Sequence, residues 1–354
     1  MKKLFSILVI AALLLCSACS GKGGSEEGTT GGGELQIFMP GEYISDEVIS
    51  AFEKETGIDV KITNFDSNES MYTKLLGGSA YDIIIPSDYM IERLIAEGLV
   101  QKLDKSKVPN LSVLYDGVKN MDYDPNNDYS VPYFWGNVGI VYDGTLVDEA
   151  DVTSQGWEVL RNTKYAGMIY MYDSVRDSFM MALKALGYSM NTNNQDELNA
   201  AFDWLVQISK TMDPAFVTDE AIDGLAYGEK AMGMMYSGDA AYILSENENM
   251  RYYAPEEGTN YWVDAMVLHK DAKNLENAYK FMDYIIGYDA QYENSSFVGY
   301  ASVNAEVLED LSHEDFDGNE AYIPRLQTSK DEVFHNDEAT LKIIAEMWVK
   351  VKNN

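Results

Sequence analysis

A chain of 354 residues is long for a single core, so two domains are expected. Its 46% hydrophobic and 24% charged content is that of an ordinary globular protein. With 26 Lys and Arg against 58 Asp and Glu, the formal charge is −32, which denies nucleic acid a basic footprint and leaves room for cationic ligands.

The N-terminus has the layout of a secretory signal. Lys2 and Lys3 precede an apolar run from Leu4 to Leu15, too short for a standard membrane span, and small residues follow. Ser17-Ala18-Cys19 closes the run and resembles a bacterial lipoprotein signal, in which the Cys becomes the lipidated first residue. Cys19 is the better candidate, because Cys16 follows the bulky Leu15. The expectation is a signal peptide over 1–18, then a flexible Gly/Ser tether over 19–33 that holds the body to a membrane by lipid alone. The alternative is an ordinary cleaved signal peptide. Cys16 and Cys19 are the only cysteines, so no disulfide framework, Cys-based zinc site or catalytic Cys is available downstream.

The body begins with a strand over 34–40, "ELQIFMP", and an amphipathic helix over 44–57 whose stripe is Val48, Ile49 and Phe52 and whose stop is Gly57. A strand over 58–65 follows, then a helix over 67–78 capped by Ser67 or Asn68 and ended by Gly77 and Gly78. "YDIIIP" over 81–86 is a strand and 88–98 a helix, completing a β-α-β-α-β-α series on a parallel sheet. Ligands on such sheets sit at the carboxyl ends of strands. Here those ends are "MPGEY" and "PSDYM", each offering a Tyr beside an acid, with no phosphate-binding glycine motif. A strand within 128–147 leads into a second unit, and further helices are expected over 175–187, 196–209 and 274–287. A strand, turn and helix are expected over 231–247.

"YWVDAM" over 261–266 places Asp264 inside an apolar strand, on the same face as Trp262, Met266 and Leu268. A carboxylate there needs a partner. It is a Lys or Arg, a set of backbone N–H groups, or a ligand cation. Two other function classes touch these residues. A metal receptor has Tyr, Asp and His to draw on, but His269, His313 and His335 are the only His and no metal-spaced cluster is visible. A secreted hydrolase has abundant acids but no nucleophile motif.

Taken together, "DSNESMYTKLLGG", "YDIIIPSDYMIERLIAEGLVQKLDKSKVPN", "DPNNDYSVPYFWGNVGIVY" and "YWVDAMVL" resemble the extracellular polyamine-binding proteins of spermidine/putrescine ABC transporters, in order and spacing from about Glu34 onward. The resemblance implies an α/β, two-lobed type II periplasmic-binding-protein fold. It implies lobe 1 at 35–137 plus 264–302 and lobe 2 at 138–263 plus 303–354, with crossings near Gly136–Ile140 and Trp262–Asp264. It further implies a monomeric receptor, not an enzyme, that needs no cofactor and hands spermidine or putrescine to a membrane permease. The binding residues it implies are Gly41, Tyr43, Ser87, Tyr89, Asp177, Tyr236, Trp262, Asp264, Tyr300 and His335, with the remaining acid position falling on Ser174 or Asp173. An aromatic of the family pattern is Pro40 here, and Trp has become Tyr236. On this resemblance, the partner of Asp264 is a ligand ammonium.

Overall fold

Local chemistry sets the first elements. In the computed structural model, which describes residues 32–323 and 328–353, β1 (Glu34–Pro40) leads to α1 (Asp46–Thr56). Ser45 caps α1 through its hydroxyl, and Gly57 ends it in the left-handed region at φ 69°. The signal segment, Cys19 and nearly all of the tether lie outside the described residues. Next come β2 (Asp59–Phe65) and α2 (Asn68–Leu76), where Ser67 rather than Asn68 is the cap and forms a capping box with Ser70. β3 (Ile83–Ile84), α3 (Asp88–Ala96) and β4 (Val100–Gln101) complete the first run.

After three short 3-10 turns comes β5 (Ser130–Asp143), fourteen residues with every side chain buried. The chain continues through α4 (Glu149–Gln155), β6 (Ile169–Tyr172), α5 (Val175–Ala185), α6 (Gln195–Thr211), β7 (Ala215–Val217) and α7 (Glu220–Ala226). Then follow β8 (Met232–Tyr236), α8 (Ser237–Glu246), β9 (Met250–Tyr253), β10 (Tyr261–His269), α9 (Leu275–Ile285) and α10 (Tyr288–Val298). β11 (Ala301–Ser302), α11 (Ala305–His313) and α12 (Glu338–Lys352) close it.

The sheet order is β2-β1-β3-β10-β5-β8-β6-β7, with β11 and β9 also on β5 and β4 on β10. β1 lies parallel between β2 and β3, as the alternation of strands and helices implied. β5 changes partners along its length. Ser130–Asn137 pairs with β10 and Trp135 and Phe134 with β11, whereas Val138–Asp143 pairs with β8 and β9. One strand therefore belongs to both halves of the sheet, and the change falls at Asn137/Val138.

The register between β5 and β10 slips beside Asp264. Asp264 faces Phe134 while Ala265 faces Pro132, so Tyr133 is the extra residue of a bulge. Pro132 carries no N–H, and a bulge is where an interior strand tolerates it. The freed Tyr133 donates its hydroxyl to the Tyr43 carbonyl at 2.7 Å and accepts from Asn294 at 2.9 Å.

The C-terminal segment divides differently from the expected lobe boundary at 303. α11 packs on α10 and β11, and Tyr115 donates its backbone N–H to Val303. That segment sits with the first half of the sheet because β11 pairs only with the first half of β5. α12 instead packs on α5 and α6, in the second half. Buried Lys184 of α5 fastens the approach to α12 through Glu332 at 2.6 Å.

Candidate functional site

A cavity of about 670 Å³ opens at the carboxyl ends of β1 and β3, where the switch-point rule placed it. Its opposite wall is the N-terminus of α5, the end of β8, and Tyr300 before β11. The residues that build it are set by the backbone features just described.

Tyr43 reaches the cavity because the turn after β1 reverses sharply. Glu42 takes a left-handed φ of 52°, uncommon for a residue with a side chain, and the Tyr133 hydroxyl anchors the Tyr43 carbonyl behind it. The Tyr43 hydroxyl donates to Asp264 Oδ2 at 2.6 Å. Ser87 pairs with Asp264 in an antiparallel backbone bridge. Asp264 has the Tyr43 hydroxyl as a donor and, among the described residues, no Lys or Arg partner. Of the partners open to Asp264 from sequence, the cation of a structural ion pair is therefore not the one found.

A second carboxylate mirrors this arrangement. Asp177 Oδ2 accepts from the Tyr236 hydroxyl at 2.7 Å and from Ser174, the cap of α5, at 2.6 Å. Between the two carboxylates run aromatic rings set edge to face. Trp262 meets Tyr300 at 5.1 Å and Tyr236 at 6.3 Å between centroids, and Tyr300 meets Tyr43 at 5.9 Å. Two glycines make room for them. A Cβ on Gly136 would enter the Trp262 ring, and one on Gly238 would enter the Tyr300 ring.

The electrostatics are lopsided. Among the described residues, six lining side chains are carboxylates and Arg176 is the single lining cation. Burial pushes Asp264 and Asp177 above the ordinary carboxylate value, with their hydroxyl donors pulling the other way. Burial also raises the phenols of Tyr43, Tyr236 and Tyr300, so all three stay protonated donors. Asp177 Oδ1, Asp88 Oδ2 and Asn260 Oδ1 are buried acceptors that meet no donor within the described residues. A cavity with spare acceptors, excess negative charge and π faces suits a ligand rich in N–H donors and methylenes.

Tyr43, Ser87, Tyr89, Asp173, Ser174, Asp177, Tyr236, Trp262, Asp264 and Tyr300 all line the cavity. Two expected residues do not. Gly41 is exposed at the outside of the turn that turns Tyr43 inward. His335 lies in the approach to α12, where it meets Glu92 of α3 at 3.3 Å and its backbone N–H binds Asn191. Asp173 lines the cavity, but its carboxylate is engaged by Trp348 and Lys352 of α12, each at 2.7 Å. Ser174 rather than Asp173 therefore serves Asp177.

The structure adds residues that were not singled out. Asn68 of α2 bonds Ser87 twice, through its amide to Oγ at 3.1 Å and by accepting the Ser87 N–H at 3.2 Å. Arg176 stacks 3.9 Å from the Tyr89 ring centroid and meets Glu69 at 3.5 Å. Asp88 forms part of the floor. The acid beside Tyr in "PSDYM" is its sequence signal, whereas Arg176 carries none. Among the described residues no group of three or more His, Cys, Asp and Glu is placed to hold a metal.

The fold and this cleft define a ligand-capturing protein, and comparison makes the class specific. A family model described as bacterial extracellular solute-binding protein matches residues 47–322, and the chain belongs to that family. Within it, the chain is 35% identical over 321 residues to the spermidine/putrescine-binding periplasmic protein of Escherichia coli strain K12, covering 90% of this chain and 91% of that one. It is 30% identical to the putrescine-binding periplasmic protein SpuD of Pseudomonas aeruginosa, over 90% of this chain and 92% of that one. Among solved structures, PotD, the substrate-binding protein of a spermidine/putrescine ABC transporter from Streptococcus pneumoniae, matches with a TM-score of 0.80 and 35% identity. That match covers 90% of this chain and 98% of PotD. The family expected from the sequence and its two-lobed fold are those of these relatives.

Proposed function

We propose that this protein captures a polyamine, spermidine or putrescine, between its lobes and delivers it to the permease of an ABC importer. The observation that carries this reading is the paired end-groups. Asp264 with Tyr43 and Asp177 with Tyr236 stand at two sides of one cavity, with Trp262 and Tyr300 between them. Ammonium groups meet the carboxylates by charge-assisted hydrogen bonds, and methylenes lie on the rings, where each cation–π contact adds roughly 0.5–2 kcal/mol. Ser87, Tyr89 and Ser174 complete the lining, whereas Gly41 and His335 take no part.

One lobe comprises 32–137 with 261–322, and the other 138–260 with 328–353, crossing at Asn137/Val138 and between β9 and β10. Closure of the lobes over the ligand is the working motion. The chain works as a monomer without a cofactor, catalyses nothing, and is held at the outer face of a bacterial membrane by lipid on Cys19. The test is calorimetric titration of putrescine, spermidine and spermine into wild type, Asp264→Asn and Asp177→Asn. Saturable binding by wild type, lost or strongly weakened in both variants, is expected. Equal binding by all three proteins would refute the assignment.

A further inference from the structure

Asp88 is the least explained carboxylate in the molecule. It is the first residue of α3, only 1% exposed, and it lines the ligand cavity. Its Oδ1 accepts the Tyr89 backbone N–H at 2.7 Å. Its Oδ2 is fully buried and meets no donor within the described residues. The preceding residue, Ser87, is bridged to Asp264, so the two carboxylates belong to neighbouring backbone positions.

Among the described residues, no cation is in contact with Asp88. Tyr123, from the loop before β5, feels the Asp88 charge, and its hydroxyl is likewise buried and unpartnered among the described residues. Asp264 on β10 repels a charge on Asp88, and Arg176 on α5 attracts one from a distance. Asp124, behind Tyr123, has both oxygens taken by the N–H groups of Asp128, Tyr129 and Ser130. Asp88 adjoins the backbone partner of Asp264, and its Oδ2 has no donor among the described residues, so a proton on Asp88 relieves both the repulsion and the unmet acceptor.

We propose that Asp88 is a proton-linked carboxylate of the cleft: it is a carboxylic acid in the empty cleft and gives its proton to solvent when an ammonium group settles at Asp264. The O–H bond of Asp88 breaks, the proton leaves through the open cavity, and the resulting carboxylate adds attraction to the bound cation. Burial and the Asp264 charge both raise Asp88 well above the ordinary carboxylate value, in the sense this exchange requires. Asp88 thus adds its own negative charge to the Asp264 end of the cleft, an inference that rests on the polyamine reading. It makes capture depend on pH in a way that Asp264 alone does not.

The test compares wild type and Asp88→Asn, titrated with spermidine and with putrescine from about pH 5 to pH 8, in buffers of different ionisation enthalpy. The two proteins should bind alike at the acid end, where Asp88 keeps its proton in both states. Wild type should then gain on the variant as pH rises, by up to about tenfold per unit, and release about one more proton per ligand. Asp88→Thr provides a second neutral side chain should the Asn variant fold poorly, and melting curves identify that case. Parallel pH curves, or wild-type binding without proton release, would overturn the proposal alone. Absence of polyamine binding by wild type would overturn the underlying reading and this proposal with it.

Discussion

Replacing Asp264 by Asn separates a ligand-binding carboxylate from a structural one by the sign of two effects. Asp264 is 9% exposed, its hydroxyl donor is Tyr43, and among the described residues no Lys or Arg meets it. Its folded pKa is raised, chiefly by burial. A carboxyl group with a raised folded pKa binds its proton more tightly in the folded state. Its ionisation therefore subtracts stability as pH rises from the unfolded value of 3.8 through the folded one. Asn removes that burden and still accepts from Tyr43, with a neutral hydrogen bond worth about 1 kcal/mol in place of a charged one of roughly 1.5–3. The empty protein should therefore melt within about 2 °C of wild type, or above it, at neutral pH. Binding should suffer heavily, because one ammonium loses its carboxylate inside a desolvated cleft, at a cost of about 3–5 kcal/mol. The assay is a melting curve with and without spermidine, alongside calorimetry. An Asn variant that melts many degrees lower but binds spermidine as wild type does would show that Asp264 is structural and refute the reasoning.

Three further outcomes follow from other parts of the structure. Gly238→Ala drives a Cβ into the Tyr300 ring, so it should weaken spermidine binding about tenfold and destabilise the fold by roughly 1–3 kcal/mol, read by calorimetry and urea unfolding. Lys184→Met leaves Glu332 without its buried partner and should cost about 3 kcal/mol in urea unfolding at neutral pH. Hydrogen bonds and Lys184 hold Glu332 below its ordinary value, so its contribution is present above 4.5 and lost as pH falls through the folded pKa. The gap between variant and wild type should close in acid. His335→Ala should leave polyamine affinity within about twofold of wild type, because that ring pairs with Glu92 outside the cavity. A large loss would return His335 to the site.

Much of the first sheet was legible because each of its elements announces itself locally. Gly57 ends α1, Ser67 opens α2, and the alternating run over 58–65 is β2. The apolar setting of Asp264 flagged it without the fold. Its actual partner was not legible, since Tyr43 and Ser87 reach it only through a bulge at Pro132–Phe134 and a left-handed turn at Glu42. Neither feature has a signature in periodicity. Gly41 and His335 were placed by resemblance of position rather than by geometry. The first sits outside the turn, and the second lies on an irregular segment whose path is decided by α12 docking on α5 and α6. Asp88 and Arg176 were visible as letters beside residues already chosen. Their roles depend on burial and on contacts between α3, α5 and α2, which no local pattern encodes.

The most direct measurement is calorimetric titration of spermidine and putrescine into the folded wild-type protein, freed of lipid, before any substitution is made. The account predicts saturable binding of one polyamine per chain with a negative heat-capacity change, from burial of methylenes against Trp262 and Tyr300. Protein that is folded by circular dichroism yet gives no binding heat with either polyamine at any temperature tried would contradict it.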